Sequence, residues 1–84
     1  MYFVYLFASE LDDSWYIGYT PDTPQKRLEK HNSGTEYYTK RKIPWKLVYY
    51  EAYKETSDAV NREKFLKSGA GRSYLKKQLK VYLG

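Results

Sequence analysis

The chain has 84 residues, 42% hydrophobic, 30% charged and 19% aromatic, and its 15 Lys plus Arg against 10 Asp plus Glu leave a net charge of +5. That is one small domain, whose core supplies roughly 3–5 kcal/mol of net stability, and the apolar content excludes disorder. With no cysteine and one histidine, disulfides, CxxC zinc sites, thiol nucleophiles and multi-histidine metal sites are excluded, while the positive excess favours a polyanionic partner, nucleic acid first.

Tyr2 to Ala8 is an apolar run rich in aromatic and β-branched residues. Both of its faces are apolar, so it reads as a central strand. It lacks a preceding basic segment and does not read as a secretory signal, and it is far short of the ~20 residues of a membrane span. The absence of cysteine fits a reducing cytoplasm, so the expected location is cytoplasmic with no membrane partner. Ser9 to Ser14 is a polar turn, and Trp15 to Thr20 is a second strand that closes an antiparallel hairpin. Asp22 or Thr23 caps a helix from about Pro24 to Asn32, which Asn32-Ser33-Gly34 stops. Thr35 to Pro44 is a basic loop, and Trp45 to Tyr53 is a third strand. Thr56 or Ser57 caps a second helix running to about Ser68, and Gly69-Ala70-Gly71 breaks it. Ser73 opens a last helix, with Tyr74, Leu75, Leu79, Tyr82 and Leu83 on a narrow stripe and Lys76, Lys77 and Lys80 opposite. The order ββαβαα predicts a single α+β domain over residues 1–84, a small three-stranded antiparallel sheet flanked by helices.

Three groups of residues do not fit a purely structural reading. Glu63 falls inside the apolar arc of the second helix, defined by Ala59, Val60 and Leu66. An inward carboxylate is costly unless it is paired or binds a metal. The alternative is a rim position with an ion pair to Lys67 one turn on. Arg27 and His31 share a face of the first helix, where they would clamp a phosphate or simply form a solvated basic face. Tyr5 and Tyr16 lie on the two hairpin strands, opposite or diagonal to one another. Gly18 shares a face with Tyr16 and leaves open space beside it, for a ligand or for a bulge. Two phenols, a guanidinium, an imidazole and a carboxylate on one sheet face are the inventory for metal-assisted phosphodiester hydrolysis.

Phe3-Val4-Tyr5 followed by Tyr16-Ile17-Gly18 resembles the paired motifs of the GIY-YIG nuclease superfamily. Gln25 to Asn32 is similar to its arginine-bearing helix, and Asn61-Arg62-Glu63-Lys64 sits where the family carries its glutamate. The likeness covers nearly the whole chain and is greatest to the small, stand-alone, excinuclease-like members. Phe3 and Val4 stand in place of glycine and isoleucine, and Tyr5 is the member of that triplet on which the chemistry depends. No asparagine follows Asn61, where many larger family nucleases have one. The resemblance implies divalent-metal-dependent cleavage of DNA. Glu63 would be the sole protein ligand of one Mg²⁺ or Mn²⁺, Tyr5 and Tyr16 would position or deprotonate the attacking water, Arg27 would stabilise phosphate charge, and His31 would assist through a hydrogen bond to a tyrosine or the phosphate.

An ordinary phenol is neutral at pH 7. The metal, Arg27 and His31 are expected to push the Tyr5 pKa down. One glutamate suffices for Mg²⁺ if substrate completes its shell, so metal binding should be weak without DNA. Lys40, Arg41, Lys42 and Lys46 form one expected basic cluster for the DNA backbone; Arg72, Lys76, Lys77 and Lys80 form a second. Tyr37, Tyr38 or Trp45 would either stack on an unpaired base or pack the loop onto the sheet. DNA is the expected partner with RNA left open, sequence specificity should be low, and monomer or weak dimer remains open. Two further readings stand beside the nuclease: a catalytically inactive nucleic-acid-binding module of the same fold, and a protein-interaction domain.

Overall fold

The computed structural model describes all 84 residues. Strand β1 (Tyr2–Ser9) is central in a three-stranded antiparallel sheet of order β2-β1-β3, between β2 (Trp15–Thr20) and β3 (Trp45–Tyr53). Its position follows from its sequence, since only a strand covered on both faces keeps six consecutive residues, Val4 to Ser9, out of water. The β1–β2 turn closes with Asp13 at φ 61°, a left-handed conformation that aspartate tolerates.

Side-chain alternation splits the sheet into two apolar layers. Val4, Leu6 and Ile17 face helix α2 (Thr56–Lys67) and helix α3 (Gly69–Gln78), and pack with Ala59, Leu66 and Leu75. Tyr5, Phe7 and Trp45 face helix α1 (Pro24–Asn32), with Tyr16, Leu28, Ile43 and Leu47 around them. The β1–β3 register shifts between Leu6 and Phe7: Leu6 pairs with Tyr49 and Phe7 with Leu47, so Val48 is the extra residue of a bulge. The bulge lets Val48 and Tyr49 both join the layer under α2 and α3.

Helix α1 begins as expected, with the Thr23 hydroxyl accepting from Lys26 N at 3.2 Å, and it stops at Gly34, whose φ of 82° suits glycine. Three expectations are corrected. First, α2 is capped by neither Thr56 nor Ser57. The Glu55 carbonyl already accepts from Ala59 N, so Thr56 is the first helical residue and no side chain caps the end. Second, the last helix opens at Gly69 rather than Ser73, because the Ser68 hydroxyl accepts from Gly71 N at 3.1 Å and starts α3 early. A Cβ on Gly71 would lie 2.5 Å from Leu66 Cα, so the second glycine permits the close α2–α3 approach rather than a break. Third, the helix does not run on to Leu83. Leu79 leaves helical geometry, and a short α4 (Lys80–Leu83) follows, with only Leu75 of the expected stripe fully buried. The basic loop also contains a 3₁₀ turn at Lys40–Lys42. No helix is long and apolar enough to cross a membrane.

Candidate active site

Tyr5 points from β1 toward α1 and is only 2% exposed. Gly18 is directly opposite it in the register and Tyr16 is opposite Phe7, so the two phenols are diagonal neighbours with ring centroids 6.4 Å apart. A Cβ on Gly18 would lie 2.5 Å from Tyr5 Cζ and 2.9 Å from Cε1, with the hydroxyl oxygen nearer still. The space expected to lie open beside Tyr16 is therefore filled by the end of the Tyr5 side chain. Gly18 is buried, and what it admits is the phenol rather than a substrate.

The α1 cap sets the phase that turns Arg27 and His31 toward these rings. Arg27 Nη2 lies 3.2 Å from His31 Nε2, and His31 Nδ1 lies 2.7 Å from Thr39 Oγ1. A guanidinium only donates, so Nε2 accepts and Nδ1 carries the proton that goes to Thr39. Thr39 is itself buried, and its carbonyl accepts from Trp45 Nε1 at 2.9 Å. The imidazole sits between Phe7 and Tyr16, at centroid distances of 5.5 and 4.9 Å. At the end of α1 the Asn32 amide pairs with both backbone groups of Trp45, at 2.7 and 3.0 Å, and ties the helix to β3. Arg27 Nη2 is also 3.4 Å from the Glu36 carboxylate, which lies 3.7 Å from Lys30 Nζ. Arg27 Nε is buried with no acceptor.

Burial is the largest influence on Tyr5 and raises its pKa. The polar contact and charge of Arg27 work the other way without prevailing, and Tyr16 and Glu63 add to the rise. The downward shift was expected with a metal beside the ring; in the metal-free chain its own groups hold the proton on Tyr5. Burial also lowers the His31 pKa, with Arg27 and Lys30 adding to that and Glu36 opposing it, so the imidazole is neutral at pH 7. Its hydrogen bonds go to Arg27 and Thr39 rather than to a tyrosine.

Glu63 has a side chain 21% exposed and an ion pair to Lys67 at 3.4 Å, so it occupies the rim position and its charge still reaches Tyr5. Three or more His, Cys, Asp or Glu side chains do not gather anywhere in the chain. A metal ion here would have one protein carboxylate, whose only charged partner is a half-exposed lysine one turn away. An acceptor-only oxygen donor of that kind fits a hard cation that keeps most of its own waters.

The basic residues do not assemble as expected. Lys42 Nζ is 2.8 Å from Asp12 and 2.7 Å from Ser14 Oγ, which ties it to the hairpin turn. Lys46 follows Trp45 and so points to the other face of the sheet, where its ammonium lies 5.7 Å from the Tyr82 ring centroid. Lys40 and Arg41 remain exposed beside the α1 face, and Arg72, Lys76, Lys77 and Lys80 are exposed on α3 and α4. Sequence reasoning missed Thr39 and Glu36, which hold His31 and Arg27. It also missed Glu51, which accepts from Tyr49 and Tyr53 at 2.5 Å each and from Arg62 at 2.8 and 3.1 Å. Loop residues carry no periodicity that would reveal the first two. The spacing Tyr49-x-Glu51-x-Tyr53, three polar tips on one strand face, was the readable signal for the third.

Fold and site together define a small α+β domain that gathers a phenol, a guanidinium and an imidazole on one face of an antiparallel sheet, with a carboxylate in charge range. A family model described as the GIY-YIG catalytic domain matches residues 1–78, and the chain belongs to the GIY-YIG nuclease family. It is 40% identical over 65 residues to a UPF0213 protein of Streptococcus pneumoniae serotype 4, covering 75% of this chain and 65% of the relative. It is 43% identical over 68 residues to a UPF0213 protein of Staphylococcus aureus strain Mu3, covering 80% of each. The chain thus spans just under two thirds of the streptococcal relative. No solved structure matches it.

Proposed function

We propose that the chain is a divalent-metal-dependent endonuclease, cytoplasmic, that hydrolyses DNA phosphodiester bonds with low sequence specificity in DNA repair or processing. The reading is carried by the Arg27 guanidinium, placed beside Tyr5 and His31 in a GIY-YIG domain with its side chain 27% exposed. A guanidinium reachable from solvent there suits a phosphate oxygen. Glu63 would hold one Mg²⁺ or Mn²⁺, which supplies Lewis-acid charge to the phosphate and acidifies water at neutral pH.

The remaining roles belong to the chain. Arg27 binds the phosphate, and Glu36 gives up part of its hold on the guanidinium as the phosphate arrives. His31 is neutral, and it accepts from Arg27 and fixes the guanidinium plane, while Thr39 fixes the imidazole tautomer. Tyr5 keeps its proton at neutral pH and orients the attacking water, with Tyr16 beside it. The dry layer under α1 strengthens each of these interactions. No element is free to enter a major groove, so contacts from Lys40, Arg41, Arg72 and Lys76 go to the backbone and specificity is low.

Cleavage of nicked, flapped and single-stranded DNA with Mg²⁺ and with Mn²⁺ tests the reading. Glu63→Ala should abolish cutting while salt-sensitive binding survives. Binding without cutting in either metal would establish the second reading, an inactive nucleic-acid-binding module. Phe3 and Val4 in the first motif favour that reading.

A further inference from the structure

Tyr37 and Tyr38 are among the tyrosines that take no part in either apolar layer. Tyr37 is 73% and Tyr38 88% exposed, next to one another on the loop between α1 and the 3₁₀ turn. Packing against the sheet was the other role open to these aromatics, and of the three Trp45 takes it. The exposed pair is nevertheless held. The rings meet edge to face with centroids 5.3 Å apart, and Lys40 Nζ lies 5.3 Å from the Tyr37 centroid. The residue before the pair, Glu36, is ion-paired to Arg27 and Lys30, and the residue after it, Thr39, is hydrogen-bonded to His31. The Glu36 carbonyl accepts from Thr39 N and Lys40 N, closing the turn beneath the rings. Both ends of a two-residue aromatic tip are thus fastened, one to Arg27, proposed to bind the phosphate, and the other to His31, which orients it.

We infer that Tyr37 and Tyr38 form a stacking platform for an unpaired nucleobase next to the phosphate bound by Arg27; resting on the nuclease reading above, this makes single-stranded or flapped DNA the preferred substrate class. The ring faces suit only a base whose own face is free, and a duplex buries those faces in its stack. Charge supports the same occupant. Lys40 and Arg41, exposed one residue beyond the pair, meet the phosphates on either side of a stacked base. Fixing the rings before binding removes part of the ordering cost, as a pre-organised contact should.

The test uses the whole chain without added metal, and fluorescence anisotropy with a labelled oligothymidylate and a labelled blunt-ended duplex of two strands. The wild-type chain should bind the single strand more tightly than the duplex. Tyr37→Ala/Tyr38→Ala should weaken single-strand binding about tenfold and leave duplex binding unchanged. Tyr37→Phe/Tyr38→Phe should retain the affinity, because the ring face and not the hydroxyl does the stacking. The alanine pair should also melt with the wild type, since it removes only exposed groups. Equal loss for both ligands, or a change under twofold for the single strand, would overturn the inference. Tyrosine-dependent single-strand binding by a chain that cuts nothing would sustain it and defeat the nuclease reading. Cutting with no dependence on the pair would do the reverse.

Discussion

Gly18→Ala puts the geometry around Tyr5 to a quantitative test. Replacing glycine within a strand ordinarily stabilises it by about 0.5–1 kcal/mol, because the unfolded chain loses freedom. Here the new methyl would lie 2.5 Å from Tyr5 Cζ, where contacts of about 3.5–4 Å are comfortable. The ring must therefore move by about 1 Å. It has nowhere to go, being 2% exposed and stacked on Phe7 at 4.4 Å. Overpacking of this kind costs about 1–3 kcal/mol, and the upper half of that range is expected because both neighbours are buried. A loss of about 2–3 kcal/mol lowers Tm by roughly 10–20 °C in a domain of this size. Urea and thermal unfolding followed by tyrosine and tryptophan fluorescence would measure it. The cause is isolated by repeating the substitution in a Tyr5→Leu background, which removes the ring. The penalty should then shrink by about 2 kcal/mol, a coupling typical of residues in contact. A neutral or stabilising Gly18→Ala, or the same penalty in both backgrounds, would refute the claim that this glycine exists to admit the phenol.

Two other measurements bear on the networks. Glu51→Gln leaves four donors without their carboxylate and should cost about 2 kcal/mol of stability. In an alkaline ultraviolet titration the Tyr53 hydroxyl, pushed up to about 12 by burial and then by the hydrogen bond and charge of Glu51, should move back toward 10. An unmoved titration would separate Tyr53 from Glu51. The pH dependence follows from His31, whose pKa is depressed in the folded chain chiefly by burial. Below about pH 6.5 the unfolded chain takes up this proton first, so stability is complete above that value and falls as pH drops toward the folded pKa. His31→Gln should flatten that limb of the stability profile, and an unchanged slope would assign it to other groups.

The legible parts of the molecule were those governed by short-range rules. Apolar, aromatic-rich runs between polar turns located β1, β2 and β3, and the Thr23 cap with Gly34 located α1, because each signal lies in or beside the element it defines. The same rules put Arg27 and His31 on one face. They went wrong where one residue serves two elements. Ser68 ends α2 and caps α3, so glycines that look like a break are the first turn of a helix. Lys46 was grouped with Lys40 by sequence distance, yet strand alternation sends it to the opposite layer.

The protonation of Tyr5 shows what sequence reasoning lacked. Counting nearby cations predicts a depressed pKa, because Arg27 is adjacent and a metal is expected. The fold adds one larger fact and one small one. Phe7, Leu28 and the body of α1 keep water off the ring, and the anion on the far side is Glu63. The carboxylate proposed to hold a cation is therefore one of the groups that keep Tyr5 neutral while no cation is bound. Neutralising it should ease the ionisation of Tyr5 from the metal-free state. Glu63→Gln in the metal-free chain should accordingly lower the Tyr5 pKa. The change should be smaller than that caused by burial, because Glu63 is the weakest of the influences that raise it. An upward shift, or none, would place the carboxylate out of electrostatic reach of the phenol and break the link between the two halves of the site.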